Sequence, residues 1–247
     1  MRYIFLSPHL DDISLSCGGI VNFLNHQNVK TEIWTFFAGI PDTHQLTPFA
    51  QSLHDRWQLS YDAPKTRREE DIQACSILGA NYRHFDFLDC IYRVDNQGNP
   101  IITKEEDLYQ DLPHSQDKLV FEINNLIKTS LKKGDILISP LAIGNHVDHQ
   151  IIYQSIINLD ANMVLFYEDY PYVIRSQVNQ DLYKQLTAIE FNLEPENLDN
   201  WHKSIAAYTS QISTFWKSIE NMRSEIIDFH NKGGGKNLWK SNFQEYF

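Results

Sequence analysis

Residues 2–12 read Arg2-Tyr3-Ile4-Phe5-Leu6-Ser7-Pro8-His9-Leu10-Asp11-Asp12. Residues 2–6 form a short apolar and aromatic run suited to a buried strand. The run is far too short for a signal peptide or a membrane span, and Pro8-His9 interrupts it. It passes directly into a polar loop, residues 7–12. A helical stretch over residues 15–25 follows, opened by the small residues Ser16, Gly18 and Gly19. A strand that hands an imidazole and two carboxylates to a loop, and then a helix, is the opening of an α/β unit.

The same alternation runs outward along the chain. Residues 31–37 read as the next strand. Residues 39–64 hold turn residues without a sustained period, which predicts a long loop of the kind that often carries function. Residues 65–78 have a helical period, with Ile72, Ala74, Ile77 and Leu78 on one side and Gly79 placed to end it. Residues 82–87 alternate as a strand, and 95–100 hold a turn signal, Asn-Gln-Gly-Asn-Pro. An amphipathic helix is expected over 119–131, closed by Lys132-Lys133-Gly134-Asp135, and a short buried strand over 136–139. Residues 148–158 look helical, 163–166 strand-like and 201–229 helical with aromatic spacing. Gly233-Gly234-Gly235 reads as a flexible break. Strands alternating with helices predict an α/β fold, a Rossmann-like, mostly parallel sheet with helices on both faces. With 247 residues, 42% of them apolar, one domain over 1–247 is expected. Ligands of such sheets bind where loops leave the carboxyl ends of strands.

Composition excludes some partners. Asp and Glu number 32 against 21 Lys and Arg, a formal charge of -11, which repels phosphate backbones and argues against nucleic acid. No later stretch is long and apolar enough to span a membrane. The cysteines Cys17, Cys75 and Cys90 include no C-x-x-C pair, so reduced thiols in a cytoplasmic protein are expected. Gly18-Gly19 lies outside any G-x-G-x-x-G or Walker pattern, so dinucleotide binding is unsupported.

A second loaded segment, Gly144-Asn145-His146-Val147-Asp148-His149, also follows a predicted strand. Two imidazole nitrogens and one carboxylate are a recurring catalytic zinc set, with a fourth position left for water. Oxygen-only cages for calcium or magnesium do not favour two histidines. Alone, either loop reads as a helix cap and a surface turn. Together, two such loops at strand carboxyl ends can converge on one cleft. Spacing leaves Asp11 and Asp12 equivalent as metal ligands.

The two segments resemble the PIG-L/LmbE-like N-acetylglucosamine deacetylases, whose pattern is His-Pro-Asp-Asp-Glu after the first strand and His-x-Asp-His later. This chain has His9-Leu10-Asp11-Asp12-Ile13 and His146-Val147-Asp148-His149. Arg67-Arg68-Glu69-Glu70, with Ala74 and Leu78-Gly79, is similar to the family's Arg-x-x-Glu helix. Residues 167–172 and 203–211 resemble segments found in some members. The resemblance implies a Zn2+ ion held by His9, Asp12 and His149, with Asp11 as general base and His146, protonated, as electrostatic partner. Asp148 is the candidate to orient His146 and keep it charged. The implied substrate is a small N-acetylated sugar or sugar conjugate. Three departures are visible: Leu10 for proline, Ile13 for glutamate, and Gly144 where some members have a tyrosine. Two other readings stay open, a zinc amidase for a non-sugar N-acyl compound and a metal- or ligand-binding protein without turnover.

Weaker signals have bland counterparts. Arg67 is a candidate for a sugar hydroxyl or phosphate, or a solvated helix turn. Asp89, after a predicted strand, is a candidate for a sugar hydroxyl, or a loop cap. Glu168 and Asp169 read as cleft lining or as surface charge. His44, His54, His84, His114, His202 and His230 read as ordinary surface or core residues. Trp201, Trp216 and Trp239 read as packing for the C-terminal helix.

Overall fold

The computed structural model describes residues 1–42, 46–60, 62–157, 159, 164–178 and 180–242. The first strand, β1 (Arg2–Ser7), buries both of its faces: Ile4 and Leu6 join one apolar cluster and Phe5 another. A strand apolar on both sides requires a layer of helices above and below it. The remaining strands are β2 (Lys30–Thr35), β3 (Asn81–His84), β4 (Ile136–Pro140), β5 (Val164–Tyr167), β6 (Leu186–Glu190) and β7 (Asn237–Ser241). They form one sheet in the order β3-β2-β1-β4-β5-β7-β6. Neighbours from β3 to β5 are parallel, while β7 runs antiparallel to both β5 and β6. The fold is thus the expected α/β, mostly parallel, Rossmann-like arrangement.

The helices are α1 (Asp12–His26), α2 (Pro48–Arg56), α3 (Ala63–Leu78), α4 (Asp117–Ser130), α5 (Val147–Ser155), α6 (Tyr172–Arg175), α7 (Gln180–Lys184), α8 (Pro195–Ala206), α9 (Thr209–Phe215) and α10 (Ile219–Asn231). Ile123 and Ile127 of α4 and Ile151 and Ile152 of α5 pack with Ile4, Leu6, Trp34 and Leu137. On the other face Ile13, Ile20 and Val21 of α1, with Cys75 and Leu78 of α3, pack with Phe5, Ile33 and Ile138. No helix among the described residues is long and apolar enough to cross a membrane.

The topology explains how distant segments meet. From β1 the chain winds outward through β2 and β3, then returns to β4 on the other side of β1. The loops after β1 and β4 therefore flank the point where the winding reverses, which is where open α/β sheets bind ligands. The register pairs Phe5 with Ile138, so strands far apart in sequence end side by side.

Several expectations need correction. Residues 39–64 contain α2, started by Pro48 and by the Thr47 hydroxyl, which accepts from the Ala50 backbone N–H at 3.0 Å. Its spacing of Phe49, Leu53 and Trp57 is an i, i+4, i+8 apolar stripe hidden among polar neighbours. The helix expected over 201–229 is three helices. The Tyr208 backbone leaves helical geometry, and Ser218 opens α10 by accepting from the Asn221 backbone N–H at 3.2 Å. Two of the three glycines are closely packed rather than part of a loose break: a Cβ at Gly234 would lie 2.0 Å from the Phe229 ring, and one at Gly235 would lie 2.2 Å from Trp201, whereas Gly233 faces open space. Strands β6 and β7 were not foreseen. Residue 158, residue 163 and His44 lie outside the described residues.

Candidate active site

The loop after β1 is braced by hydrogen bonds within it and from α3. The Ser7 hydroxyl donates to the His9 carbonyl at 2.7 Å, and the His9 N–H donates to Asp12 Oδ2 at 2.6 Å. Arg67 Nη2 donates to the Leu10 carbonyl at 3.0 Å. Leu10 itself is buried, so this loop is held without the proline of the related pattern. Ile13 lies in the core beside Phe5 and Cys17 and does not line the cavity.

Asp11 caps α1 with φ 142° and ψ -27°, a backbone conformation that costs a non-glycine residue about 1–3 kcal/mol. Its side chain is 5% exposed. Burial pushes the Asp11 carboxyl up to about 7, with Arg67 at 3.5 Å from Oδ2 working in the opposite direction. Burial also opposes ionisation of Asp12, but the His149 and His9 imidazoles outweigh it and hold that carboxyl well below its ordinary value. Two neighbouring aspartates are therefore set apart, one poised near neutrality and one fully ionised.

The loop after β4 delivers the second group of residues. Ala142, Gly144 and Asn145 all have positive φ, giving a tight turn into α5. Only glycine fits at 144: besides its φ of 88°, a Cβ there would lie 2.5 Å from Tyr172 Cβ. The Tyr172 ring takes that space, with its centroid 5.5 Å from the His149 ring and 6.1 Å from His146.

Each of the two expected ligand histidines has a carboxylate behind it. His149 Nδ1 donates to Asp169 Oδ1 at 2.6 Å. His9 Nε2 lies 3.0 Å from Asp148 Oδ2. The nitrogens left over face the same carboxylate, His9 Nδ1 at 3.3 Å from Asp12 Oδ2 and His149 Nε2 at 3.4 Å from Asp12 Oδ1. His149 Nε2 is buried and makes no hydrogen bond. Bonds of about 2.0–2.2 Å to a tetrahedral zinc put its ligand atoms roughly 3.3 Å apart, which these separations match. The His9, His146 and His149 ligand atoms also lie within 4.8 Å of one another, as do those of His9, Asp89 and Asp148. Outer carboxylates of this kind orient metal-bound histidines, and His9 and His149 each have one.

The expectation that Asp148 orients and charges His146 is corrected. The Asp148 carboxylate is taken by His9, by Arg93 Nη2 at 2.5 Å and by the Cys90 backbone N–H at 3.1 Å. It is the Asp148 backbone N–H that donates to His146 Nδ1, at 3.3 Å, so His146 is the N-cap of α5. Burial, with His9 and His149 nearby, drives the His146 pKa well below its ordinary value. His146 is therefore a neutral imidazole with its proton on Nε2, not the expected cation.

Arg67 and Asp89 both line the cavity. Arg67 is buried over the Trp57 ring at 4.8 Å and braces the Asp11 loop. Asp89 caps a short turn by accepting from the Ile91 N–H at 3.2 Å, and its Oδ2 lies 3.9 Å from His9 Nε2. Asp169 is fully buried, which corrects its reading as surface charge. Glu168 instead accepts from the Tyr183 hydroxyl, away from the cavity. Neither His54 nor His84 lines the cavity: His54 bridges the Ser60 carbonyl and the Tyr92 hydroxyl, and His84 pairs with Asp71. Trp201 and Trp216 pack against α10, as expected of them. Sequence reasoning did not single out Arg93, Trp57 or Tyr172; a long cation or an aromatic in an irregular loop has no period to mark it.

These groups open onto a cavity of about 530 Å3, ample for a sugar-sized ligand. Carboxylates and imidazoles gathered at one cavity, with the Asp11 carboxyl raised to about 7, suit metal-assisted hydrolysis of an acyl bond.

Comparison with known proteins agrees with this chemistry. The family model described as PIG-L, GlcNAc-PI de-N-acetylase, matches residues 4–159. The 2'-N-acetylparomamine deacetylase of Niallia circulans is 31% identical over 206 residues, covering 74% of this chain and 72% of that protein. The teicoplanin deacetylase Orf2, solved in a zinc-inhibited form, superposes with a TM-score of 0.83 at 27% identity, over 98% of this chain and 99% of that one. The A40926 pseudoaglycone deacetylase Dbv21 superposes with a TM-score of 0.74 at 26% identity, over 100% and 98% of the two chains.

Proposed function

Because this chain belongs to the PIG-L family of de-N-acetylases, we propose that it hydrolyses the acetamide of an N-acetylglucosamine-like sugar or conjugate, with zinc held by His9, Asp12 and His149. The observation that carries the reading is the convergence of His9 Nδ1 and the orphaned His149 Nε2 on Asp12, each ring backed by its own carboxylate. Zinc, when bound, supplies Lewis acidity, bringing the pKa of water from about 15.7 towards about 7 and polarising the amide carbonyl.

The chain's own groups do the rest. Asp11, with its carboxyl near 7, accepts the proton of the attacking water. The neutral His146 donates its Nε2–H to the amide oxygen as negative charge builds there. Asp11 then gives that proton to the amine nitrogen as the C–N bond breaks, and the acid product loses its own proton to the amine, so acetate and the ammonium form of the sugar leave with the base regenerated. Tyr172 and Tyr109, whose rings lie 5.8 Å apart, wall the cavity beside His146. Asp148, neutralised by Arg93, fixes the His9 ring, and Asp169 fixes that of His149. A cytoplasmic setting belongs to the same reading and rests on three buried free thiols.

The test is Asp11→Asn. It keeps the metal set intact and is expected to retain zinc while losing about 10²–10⁴ in kcat for acetate release. Full activity in that variant sinks the mechanism. Parallel screening of N-acetylated sugars and N-acyl amino acids decides the substrate class.

A further inference from the structure

The buried end of the cavity is acidic and its mouth is not. Asp11, Asp12 and Asp89 line it together with His9 and His146, with Arg67 among them. The outer wall carries two exposed arginines, Arg56 and Arg175, against a single acid, Glu105. Arg56 is paired with Glu105 at 3.5 Å. Arg175 makes no ion pair with a carboxylate among the described residues. Its Nη2 donates to the Phe215 carbonyl at 3.3 Å, and its Cζ lies 5.9 Å from the Phe215 ring centroid. The end of α9 contacts both arginine residues, because the Ser213 hydroxyl also donates to the Arg56 backbone carbonyl at 3.4 Å. On a chain of net charge -11, a mouth with a surplus positive charge runs against the general field.

Aromatic rings fill the space between mouth and floor: Trp57, Tyr109, Tyr172 and Phe215. Arg175 stands three residues after Tyr172 on α6, so their side chains start about 5–6 Å apart on one face. Tyr172 in turn touches the rings of both His146 and His149. In a 2-acetamido sugar the aglycone leaves from the carbon next to the one bearing the amide nitrogen. An amide held at the histidines therefore lays its aglycone along the aromatic wall, towards Arg175.

We infer that the mouth selects N-acetylhexosamine conjugates whose aglycone is aromatic and carries an anionic group, and that Arg175 is the residue that reads that charge. The inference rests on the de-N-acetylase reading for the orientation of the sugar. A polycationic amino sugar would instead bring ammonium groups against two guanidiniums with one carboxylate to share, an arrangement that like-charge repulsion disfavours.

The probes are the 4-carboxyphenyl and 4-(aminomethyl)phenyl glycosides of N-acetylglucosamine, equal in shape and opposite in charge, with the methyl glycoside as the non-aromatic reference. Acetate release is measured with the wild-type protein and Arg175→Glu, and binding is measured by calorimetry on the same pair carrying Asp11→Asn. The carboxyphenyl glycoside is expected to have the lower KM by about two- to fivefold, the range of an exposed ion pair, at similar kcat. That preference reverses in Arg175→Glu and shrinks as salt is added. Turnover of both aryl glycosides with equal KM, or an unchanged ratio in Arg175→Glu, overturns the inference and leaves the deacetylase standing. A methyl glycoside bound as tightly as the aryl ones also overturns it. Charge-selective binding that depends on Arg175, without turnover of any probe, upholds the inference and removes the deacetylase reading. Absence of both binding and turnover overturns both.

Discussion

Asp169→Asn exchanges one enclosed oxygen for an amide NH2 at a point where two donors already converge. Asp169 Oδ1 accepts from His149 Nδ1 at 2.6 Å and Oδ2 accepts from the Ile143 N–H at 2.9 Å, with the side chain fully buried. An asparagine satisfies one of these donors and turns its own NH2 against the other, whichever way the amide is flipped. If the NH2 faces His149, the ring loses the contact that keeps its proton on Nδ1 and its Nε2 lone pair directed at Asp12. Loss of such an outer partner typically lowers metal affinity or activity by 10–100-fold, which is about 1.4–2.8 kcal/mol at tenfold per 1.4 kcal/mol. If the NH2 faces Ile143, the cost is a buried unsatisfied N–H, about 1–3 kcal/mol of stability. The two outcomes separate experimentally. Zinc affinity is read by competition with a chromophoric chelator, and stability by urea unfolding of the metal-free protein. One of the two must fall. A variant that keeps zinc affinity within twofold of the wild type and unfolding free energy within about 0.5 kcal/mol of it, with full kcat, refutes the claim that Asp169 positions His149.

Two further outcomes follow from contacts outside the metal set. Glu70 anchors the start of α9 by accepting from Thr209 Oγ1 at 2.7 Å, the Ser210 N–H at 2.8 Å and Ser210 Oγ at 2.6 Å. Glu70→Ala is expected to cost on the order of 2–3 kcal/mol, seen as a lower Tm. It should raise KM more than it lowers kcat, because α9 carries Gln211, Thr214 and Phe215 into the cavity wall. Burial opposes ionisation of Asp135, but Arg2 and the Lys132 N–H outweigh it and hold its carboxyl below its ordinary value. Its stabilising contribution is therefore present above the unfolded pKa, near 4, and lost as pH falls through the lower folded value. The Tm gap between wild type and Asp135→Asn should be open at pH 7 and narrow as pH falls below the unfolded carboxyl value; a gap that persists undiminished in strong acid contradicts the assignment.

The parts of the fold that could be read in advance were those with strong periodicity or a strong stop. The apolar and aromatic runs of β1 and β2 and the helical stripe ending at Gly79 in the αL conformation are examples. The His9–Asp12 and His146–His149 loops were legible because short-range spacing and strand ends both marked them. What escaped was tertiary. Tyr208 and Ser218 break what reads as one aromatic helix, because Glu70 and a serine cap offer the backbone better partners than helix continuation. Asp148 carries a local His-x-Asp-His signature, yet its carboxylate serves His9 and Arg93 across the cleft, a choice that spacing within the motif does not encode. Asp169 and Tyr172 lie at the end of β5, and only the sheet order brings that end beside His149.

The twisted backbone at Asp11 has a thermodynamic side. A residue forced to φ 142° with its carboxyl sealed from solvent weakens the native state twice over, through conformational energy and through desolvation. Glycine at that position would relax the first burden and abolish the second. The folded protein is thus held together in spite of Asp11, and variants recovered in a screen for heat tolerance alone should include replacements at residue 11.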